Sequence, residues 1–120
     1  MSEPLRMMAT TGLLGYGFSE SAFRHGLRMG LDFIAADGGS MDPGPYYLGK
    51  GVPFVTRMAI KRDIGLMLEG ALDLDIPMII GSTGGGGSAA QLTLVRDVVE
   101  EIAAERNYRF KLAEIGSEQG

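Results

Sequence analysis

The stretch I-P-M-I-I-G-S-T-G-G-G-G-S-A-A-Q-L-T-L-V, residues 76–95, decides the fold class. Its first part (76–82) is a short apolar run typical of a buried strand, and four glycines follow it. Ser88 is placed to cap a helix that extends to about residue 106. The inner stripe of this helix comprises Leu92, Val95, Val99, Ile102 and Ala103. A strand that leads through a short loop into a helix is the repeating unit of an α/β protein.

The same alternation of strands and helices occupies the rest of the chain. Ser19 caps a predicted helix over about 20–29, where His25 lies on the polar face. A second helix fits 56–74, where Ile60, Ile64, Met67, Leu68, Ala71 and Leu72 recur with a period of 3.6 residues. The remaining apolar runs predict strands at 11–14, 32–37, 77–81 and 109–114, the last from the alternating Tyr108, Phe110 and Leu112. We therefore expect one α/β domain over 1–120, with a Rossmann-like parallel sheet of about four strands flanked by helices.

Composition excludes several classes of function. The net charge is −4 and no cluster of Lys and Arg is present, which argues against a nucleic-acid surface. The chain has no cysteine, so disulfides and thiol chemistry are excluded. No apolar stretch is long enough for a signal peptide or a membrane span. We expect a cytoplasmic protein that contacts neither nucleic acid nor membrane.

Three irregular segments follow predicted strands: Gly15–Glu20, Asp37–Gly51 and Ser82–Ser88. Loops that follow parallel strands lie at the same edge of a sheet, and ligands of open α/β sheets bind outside the carboxyl ends of the strands. We therefore expect these segments to share one functional edge.

The glycine run suggests an anion site. Backbone N–H groups of Gly84, Gly85, Gly86 and Gly87, beside a helix N-terminus, could bind a negatively charged substrate, with hydroxyl groups from Ser82, Thr83 and Ser88. The alternative is a tight or mobile turn that merely starts the helix. No nucleotide fingerprint fits: no Lys follows these glycines, and G-Y-G-F-S-E (15–20) has Glu20 where a dinucleotide motif needs glycine.

Acidic and basic side chains near this edge are the other candidates. Asp37 and Asp42 could act as acid and base or hold a divalent cation, and Ser40 lies between them as a substrate-binding candidate. The alternative assigns both carboxylates to turns. Arg57 and Lys61, one helical turn apart, could bind an anionic substrate, neutralise these acids, or be solvated helix charges. The sequence leaves any metal or cofactor open.

Three stretches resemble the N-terminal part of the acyclic terpene utilisation AtuA-like family. They are D-F-I-A-A-D-G-G-S-M-D-P-G-P-Y-Y-L-G-K-G (32–51), T-R-M-A-I-K-R-D-I-G-L-M-L-E (56–69) and P-M-I-I-G-S-T-G-G-G-G (77–87). The resemblance covers roughly residues 12–115, and D-G-G-S-x-D-P-G-P is its most specific part. It implies that the chain is a fragment or split subunit of a longer architecture, with lyase or hydratase chemistry on small acids or acyl-CoA esters.

These observations leave two possible functions. In the first, the chain is the ligand-binding or catalytic part of an enzyme that acts on a small carboxylate or acyl-CoA substrate by acid–base chemistry. Alternatively, it is a non-catalytic Rossmann-like subunit that forms an interface with a larger catalytic partner. Exposed sheet edges and the apolar loop residues Tyr46, Tyr47, Leu48 and Phe54 predict an oligomer, either homomeric or with that larger subunit.

Overall fold

A computed structural model of the chain describes residues 3–39, 50, 56–83 and 88–116. In chain order the elements are strand β1 (Met7–Ala9), helix α1 (Glu20–Leu27), strand β2 (Phe33–Asp37), helix α2 (Arg57–Leu74), strand β3 (Met78–Gly81) and helix α3 (Ala89–Arg106). The strands form one sheet in the order β1-β2-β3, and both pairings are parallel. The predicted parallel α/β arrangement is therefore confirmed for three strands.

The first predicted strand was misplaced. The strand lies at Met7–Ala9, and the predicted span 11–14 forms the turn that follows it. Leu14 is buried within that turn, and its N–H donates to the carbonyl oxygen of Asp37 at 3.0 Å. Leu14 therefore packs in the core without joining the sheet, and Leu13 is only partly buried.

The predicted fourth strand is also wrong. Residues 108–116, which we call the C-terminal segment, follow α3 without strand hydrogen bonding. Tyr108 N–H donates to the carbonyl oxygen of Ala103 at 2.9 Å, and Arg96 Nη1 donates to Glu114 Oε2 at 3.3 Å. These contacts hold the segment against α3, and no backbone hydrogen bond joins it to β3 among the described residues.

Each of the three helices α1, α2 and α3 begins directly after a capping residue, and two of these caps, Ser19 and Ser88, were predicted from the sequence. The side-chain oxygens of Ser19, Thr56 and Ser88 accept hydrogen bonds from backbone N–H groups three residues later. Such caps satisfy amide groups that have no partner within the helix. Helices α2 and α3 both end at a residue in the left-handed conformation, Asp75 at φ 54° and Asn107 at φ 57°.

The hydrophobic core lies between one face of the sheet and the helices. Helix α2 is central, since it contacts β2, β3, α1 and α3. Its buried stripe contains Ile60, Ile64, Met67, Leu68 and Ala71, and α3 adds Val95, Val98, Val99 and Ile102. Each fully buried aliphatic side chain contributes roughly 1.5–3 kcal/mol to the free energy of unfolding. Most of the predicted stripe positions are thus in the core, whereas Leu72, Leu92 and Ala103 are only partly buried and Val98 is an addition.

The opposite face of the sheet is not covered by any described helix. Side chains alternate along each strand, so Ile34 and Ala36 point into the core while their neighbours point to this second face. Met7 is 53 % exposed there and Ile79 is 54 % exposed. We call this surface, formed by Met7, Ala9, Phe33, Ala35 and Ile79, the open face.

Candidate functional site at the carboxyl edge of the sheet

The loops after the three strands meet at the carboxyl edge, as the topology predicts. Asp37 N–H donates to the carbonyl oxygen of Thr11 at 3.2 Å, which joins the β2 end to the β1 loop. Gly38 N–H donates to the carbonyl oxygen of Gly81 at 2.6 Å, which joins it to the end of β3. Asp37 is consequently the central residue of this edge, since the first and third loops lie on either side of it.

The Asp37 side chain is exposed, and one of its two carboxylate oxygens accepts a hydrogen bond. Its Oδ1 accepts a hydrogen bond from Gly39 N–H at 3.0 Å, an Asx turn of the kind that the sequence allowed. Oδ2 has no hydrogen-bond partner among the described residues. Asp37 also lines an open crevice of about 370 Å³ together with residues 9–12, 35 and 36. The carboxylate therefore fixes the turn through one oxygen and presents the other to solvent.

Glycine at position 38 is required by the close approach of two loops. A Cβ atom there would overlap the carbonyl oxygen of Ser82 and lie 2.7 Å from that of Gly81. Gly39 adopts φ 126°, a conformation that L-residues with a side chain rarely adopt. The pair of glycines after Asp37 therefore brings the β2 and β3 loops together.

Ser82 is strained. Its φ is 48°, and among the described residues it is the one non-glycine residue with positive φ that is not a helix C-cap. A left-handed conformation costs an L-residue roughly 1–2 kcal/mol, and such strain concentrates at functional sites. The Ser82 side chain is exposed, whereas Thr83 beside it is buried. Ser82 and Thr83, two of the predicted substrate-binding residues, therefore lie at this edge, and the Ser82 hydroxyl group is the accessible one.

Ser88 is the N-cap of α3, as predicted, and is buried. Its Oγ accepts from Gln91 N–H at 3.2 Å, and its own N–H donates to Gln91 Oε1 at 3.2 Å, a capping box. The backbone N–H that a bound anion would need at this position is thus already paired. The part of Ser88 in substrate binding stays a prediction.

Arg57 and Lys61 find their anionic partners on α3. Arg57 Nη1 lies 3.0 Å from Glu101 Oε2, and Lys61 Nζ lies 2.9 Å from Glu101 Oε2 and 2.8 Å from Glu105 Oε1. The hydrogen bonds from Lys61 to Glu101 and Glu105 raise the pKa of Lys61. The hydrogen bonds that Glu101 accepts, first from Lys61 and then from Arg57, lower the pKa of Glu101. These ion pairs join α2 to α3 at the surface. Among the described residues, no contact links the cationic side chain of Arg57 or of Lys61 to Asp37.

The remaining predicted site residues, Ser40, Asp42 and Gly84–Gly87, lie outside the described residues. Within residues 3–39, 50, 56–83 and 88–116, no three His, Asp or Glu side chains are grouped so that they could hold a metal ion.

Asp63 is an important residue that the sequence interpretation missed. It is completely buried on α2, and its Oδ2 accepts from Gly15 N–H at 2.7 Å and from Gly17 N–H at 3.1 Å. Both glycines have positive φ, 105° and 89°. Asp63 therefore occupies the amide donors of the first strand-to-helix turn, where a dinucleotide-binding protein holds pyrophosphate.

Arg62 balances the buried charge. Its Nη1 lies 2.9 Å from Asp63 Oδ1, and its guanidinium carbon lies 5.7 Å from the centre of the Phe18 ring. A signal for Asp63 is present in the sequence, since it follows Ile60 by three positions on the apolar stripe. The internal carboxylate gives a physical reason why G-Y-G-F-S-E is not a nucleotide fingerprint.

Comparison with protein-family models, curated proteins and solved structures gives no match to this chain. None of the described helices has the length and apolar character needed to cross a membrane.

Proposed function

We propose that the chain is the ligand-binding, acid–base part of an enzyme that acts on a small carboxylate or acyl-CoA substrate. The observation that carries the proposal is the position of Asp37, whose partly unpaired carboxylate lies at the carboxyl edge between the β1 and β3 loops. Open α/β sheets bind their ligands at this edge. The strained, exposed Ser82 beside it and the resemblance to the AtuA-like family support the same proposal.

The proposed chemistry is elimination or addition of water next to a carbonyl group. Asp37 Oδ2 removes a proton from the carbon beside the substrate carbonyl, and the electron pair forms the double bond as hydroxide leaves from the next carbon. A second acid must protonate that hydroxide, and Asp42 is the candidate. Ser82 O–H donates to the carbonyl oxygen as negative charge develops on it. The reverse sequence of steps adds water.

The test replaces Asp37 by Asn, with Asp73→Asn as the matched control. Asp73 is an exposed acid on α2, so its loss removes the same charge away from the edge. Hydration of short-chain enoyl-CoA thioesters and dehydration of small hydroxy acids are measured on the protein with any partner that co-purifies. General acid–base catalysis contributes roughly 10²–10⁴-fold, so Asp37→Asn should lower kcat by at least about 100-fold. Equal activity in the two variants would refute the role of Asp37.

The alternative function, a non-catalytic subunit with a larger partner, is supported by the open face. Parallel sheets occur almost only with both faces covered, and here Met7 and Ile79 are more than half exposed. We propose an oligomer, homomeric or with a larger subunit, whose interface includes this surface. Sedimentation at micromolar concentration measures it, and a sharp monomer in the absence of partner would count against it. The cytoplasmic location stays a prediction.

A further inference from the structure

The outer edge of β3 carries backbone groups without partners. Ile34 N–H donates to the carbonyl oxygen of Pro77 at 3.0 Å, and Gly38 N–H donates to that of Gly81. Parallel strands bond through alternate residues, so Pro77, Ile79 and Gly81 bond to β2. The N–H and C=O groups of Met78 and Ile80 therefore point away from β2. They have no hydrogen-bond partner among the described residues.

A groove of about 720 Å³ runs along this edge, and we call it the β3 groove. One wall is residues 77–83, the floor is formed by α2 and α3 through side chains such as Leu68 and Val95, and the far wall is residues 110–115. Phe110 and Leu112 on the far wall are 36 % and 50 % exposed. The groove is therefore mainly apolar, although Arg96, Lys111 and Glu114 are among its lining residues, and it presents unpaired backbone groups along β3.

We propose that the β3 groove is the docking site for an extended segment of a partner polypeptide, which adds to the sheet beside β3 as a fourth parallel or antiparallel strand. The partner's backbone pairs with the N–H and C=O groups of Met78 and Ile80, and its alternate apolar side chains fill the groove. Strand addition of this kind takes its affinity from main-chain hydrogen bonds and its selectivity from side-chain pockets. The inference does not depend on the chemistry proposed for Asp37.

Two other occupants fit less well, and a second copy of the chain is separated from the proposed segment by the test below. The chain's own C-terminal segment is held against α3 by the Arg96–Glu114 ion pair and by Tyr108 N–H. An acyl chain would fill the apolar volume but leave four backbone groups unpaired, and each unpaired buried group is costly.

The test uses a panel of designed peptides of about six residues in which Val, Ile and Tyr alternate with Thr. Each peptide has a control peptide of the same sequence, in which alternate backbone nitrogens, those along one edge of the extended peptide, are methylated. Backbone hydrogen exchange in the full chain provides the readout. In the free protein the Met78 and Ile80 amides should exchange quickly, whereas Ile79 and Gly81, bonded to β2, are protected. A bound peptide should protect Met78 and Ile80, and N-methylation of its pairing edge should weaken binding by at least about tenfold.

Leu112→Asp on the far wall should also weaken peptide binding by at least about tenfold. The matched control is Met58→Asp, because Met58 is 82 % exposed on α2 and lies outside the groove. Four results would each overturn the proposal: no peptide binding in millimolar excess, equal binding of the N-methylated copies, protection of Met78 and Ile80 by self-association alone, or competition by decanoate that leaves those amides exposed. These readouts report on β3 and not on turnover, so a failure of the Asp37 proposal leaves them unaffected.

Discussion

Replacement of Asp63 by Ala should destabilise the fold more than replacement of any exposed acid. The side chain accepts hydrogen bonds from Gly15 N–H at 2.7 Å and Gly17 N–H at 3.1 Å while it is completely buried. Hydrogen bonds to charged groups contribute about 1.5–3 kcal/mol each. The two amides are only partly buried, so water can replace part of the lost bonding. We therefore expect a loss of about 3 kcal/mol in the free energy of unfolding.

Urea denaturation followed by circular dichroism measures this loss, provided that the slope against urea is unchanged. Asp63→Asn keeps one side-chain oxygen as acceptor and loses the charge, so it should cost less, about 1–2 kcal/mol. Asp73→Ala, on the exposed face of the same helix, should change stability by no more than about 0.5 kcal/mol. If Asp63→Ala costs no more than Asp73→Ala, the turn at 15–17 does not depend on this carboxylate.

Three further predictions concern the carboxyl edge and the α2–α3 surface. Ser82→Gly should raise the free energy of unfolding by about 1 kcal/mol, because glycine adopts φ 48° without strain, and it should weaken substrate binding; a stability loss in thermal denaturation would contradict this. Gly38→Ala should destabilise by about 1–3 kcal/mol through overlap with Ser82 O, whereas Gly81→Ala, with open space around its Cβ position, is the near-neutral control. The folded-state pKa of Glu101 lies below its ordinary value of 4.5 because of the hydrogen bonds from Lys61 and Arg57. The contribution of these ion pairs to the free energy of unfolding is therefore complete above pH 4.5 and is lost as the pH falls through the lowered pKa. The stability difference between wild type and Glu101→Gln should therefore shrink in acid, and a difference that stays constant down to about pH 2 would refute the ion pair's role.

The helices and the parallel order could be predicted because their signals are local. Ser19 and Ser88 cap the helices that they precede, and the apolar stripes of α2 and α3 have the helical period over 18 residues each. The strands were harder, since short apolar runs do not distinguish a strand from a buried turn. The apolar pair Leu13 and Leu14 led to the prediction of a strand at 11–14, whereas the edge strand is the short segment Met7–Ala9. The alternation of Tyr108, Phe110 and Leu112 suggested a strand, but contacts with α3 hold that segment elsewhere.

For the candidate site, the sequence predicted the meeting of the loops and the position of Asp37, because both follow from the parallel topology. It could not predict that Arg57 and Lys61 pair with Glu101 and Glu105, since those contacts depend on how two distant helices pack. The partners of Asp63 were hidden for the same reason, because 48 and 46 residues separate it from Gly15 and Gly17.

That separation has a consequence for the order in which the chain folds. The turn between β1 and α1 has positive φ at Gly15 and Gly17, and both of their amides bond to a side chain far along the chain. The first strand–helix unit cannot complete its own hydrogen bonding before α2 has docked, so its formation waits for a non-local contact. Gly15, Gly17 and the α2 core should consequently gain protection from exchange together, as one cooperative folding unit. An isolated peptide of residues 3–39 would leave this turn disordered.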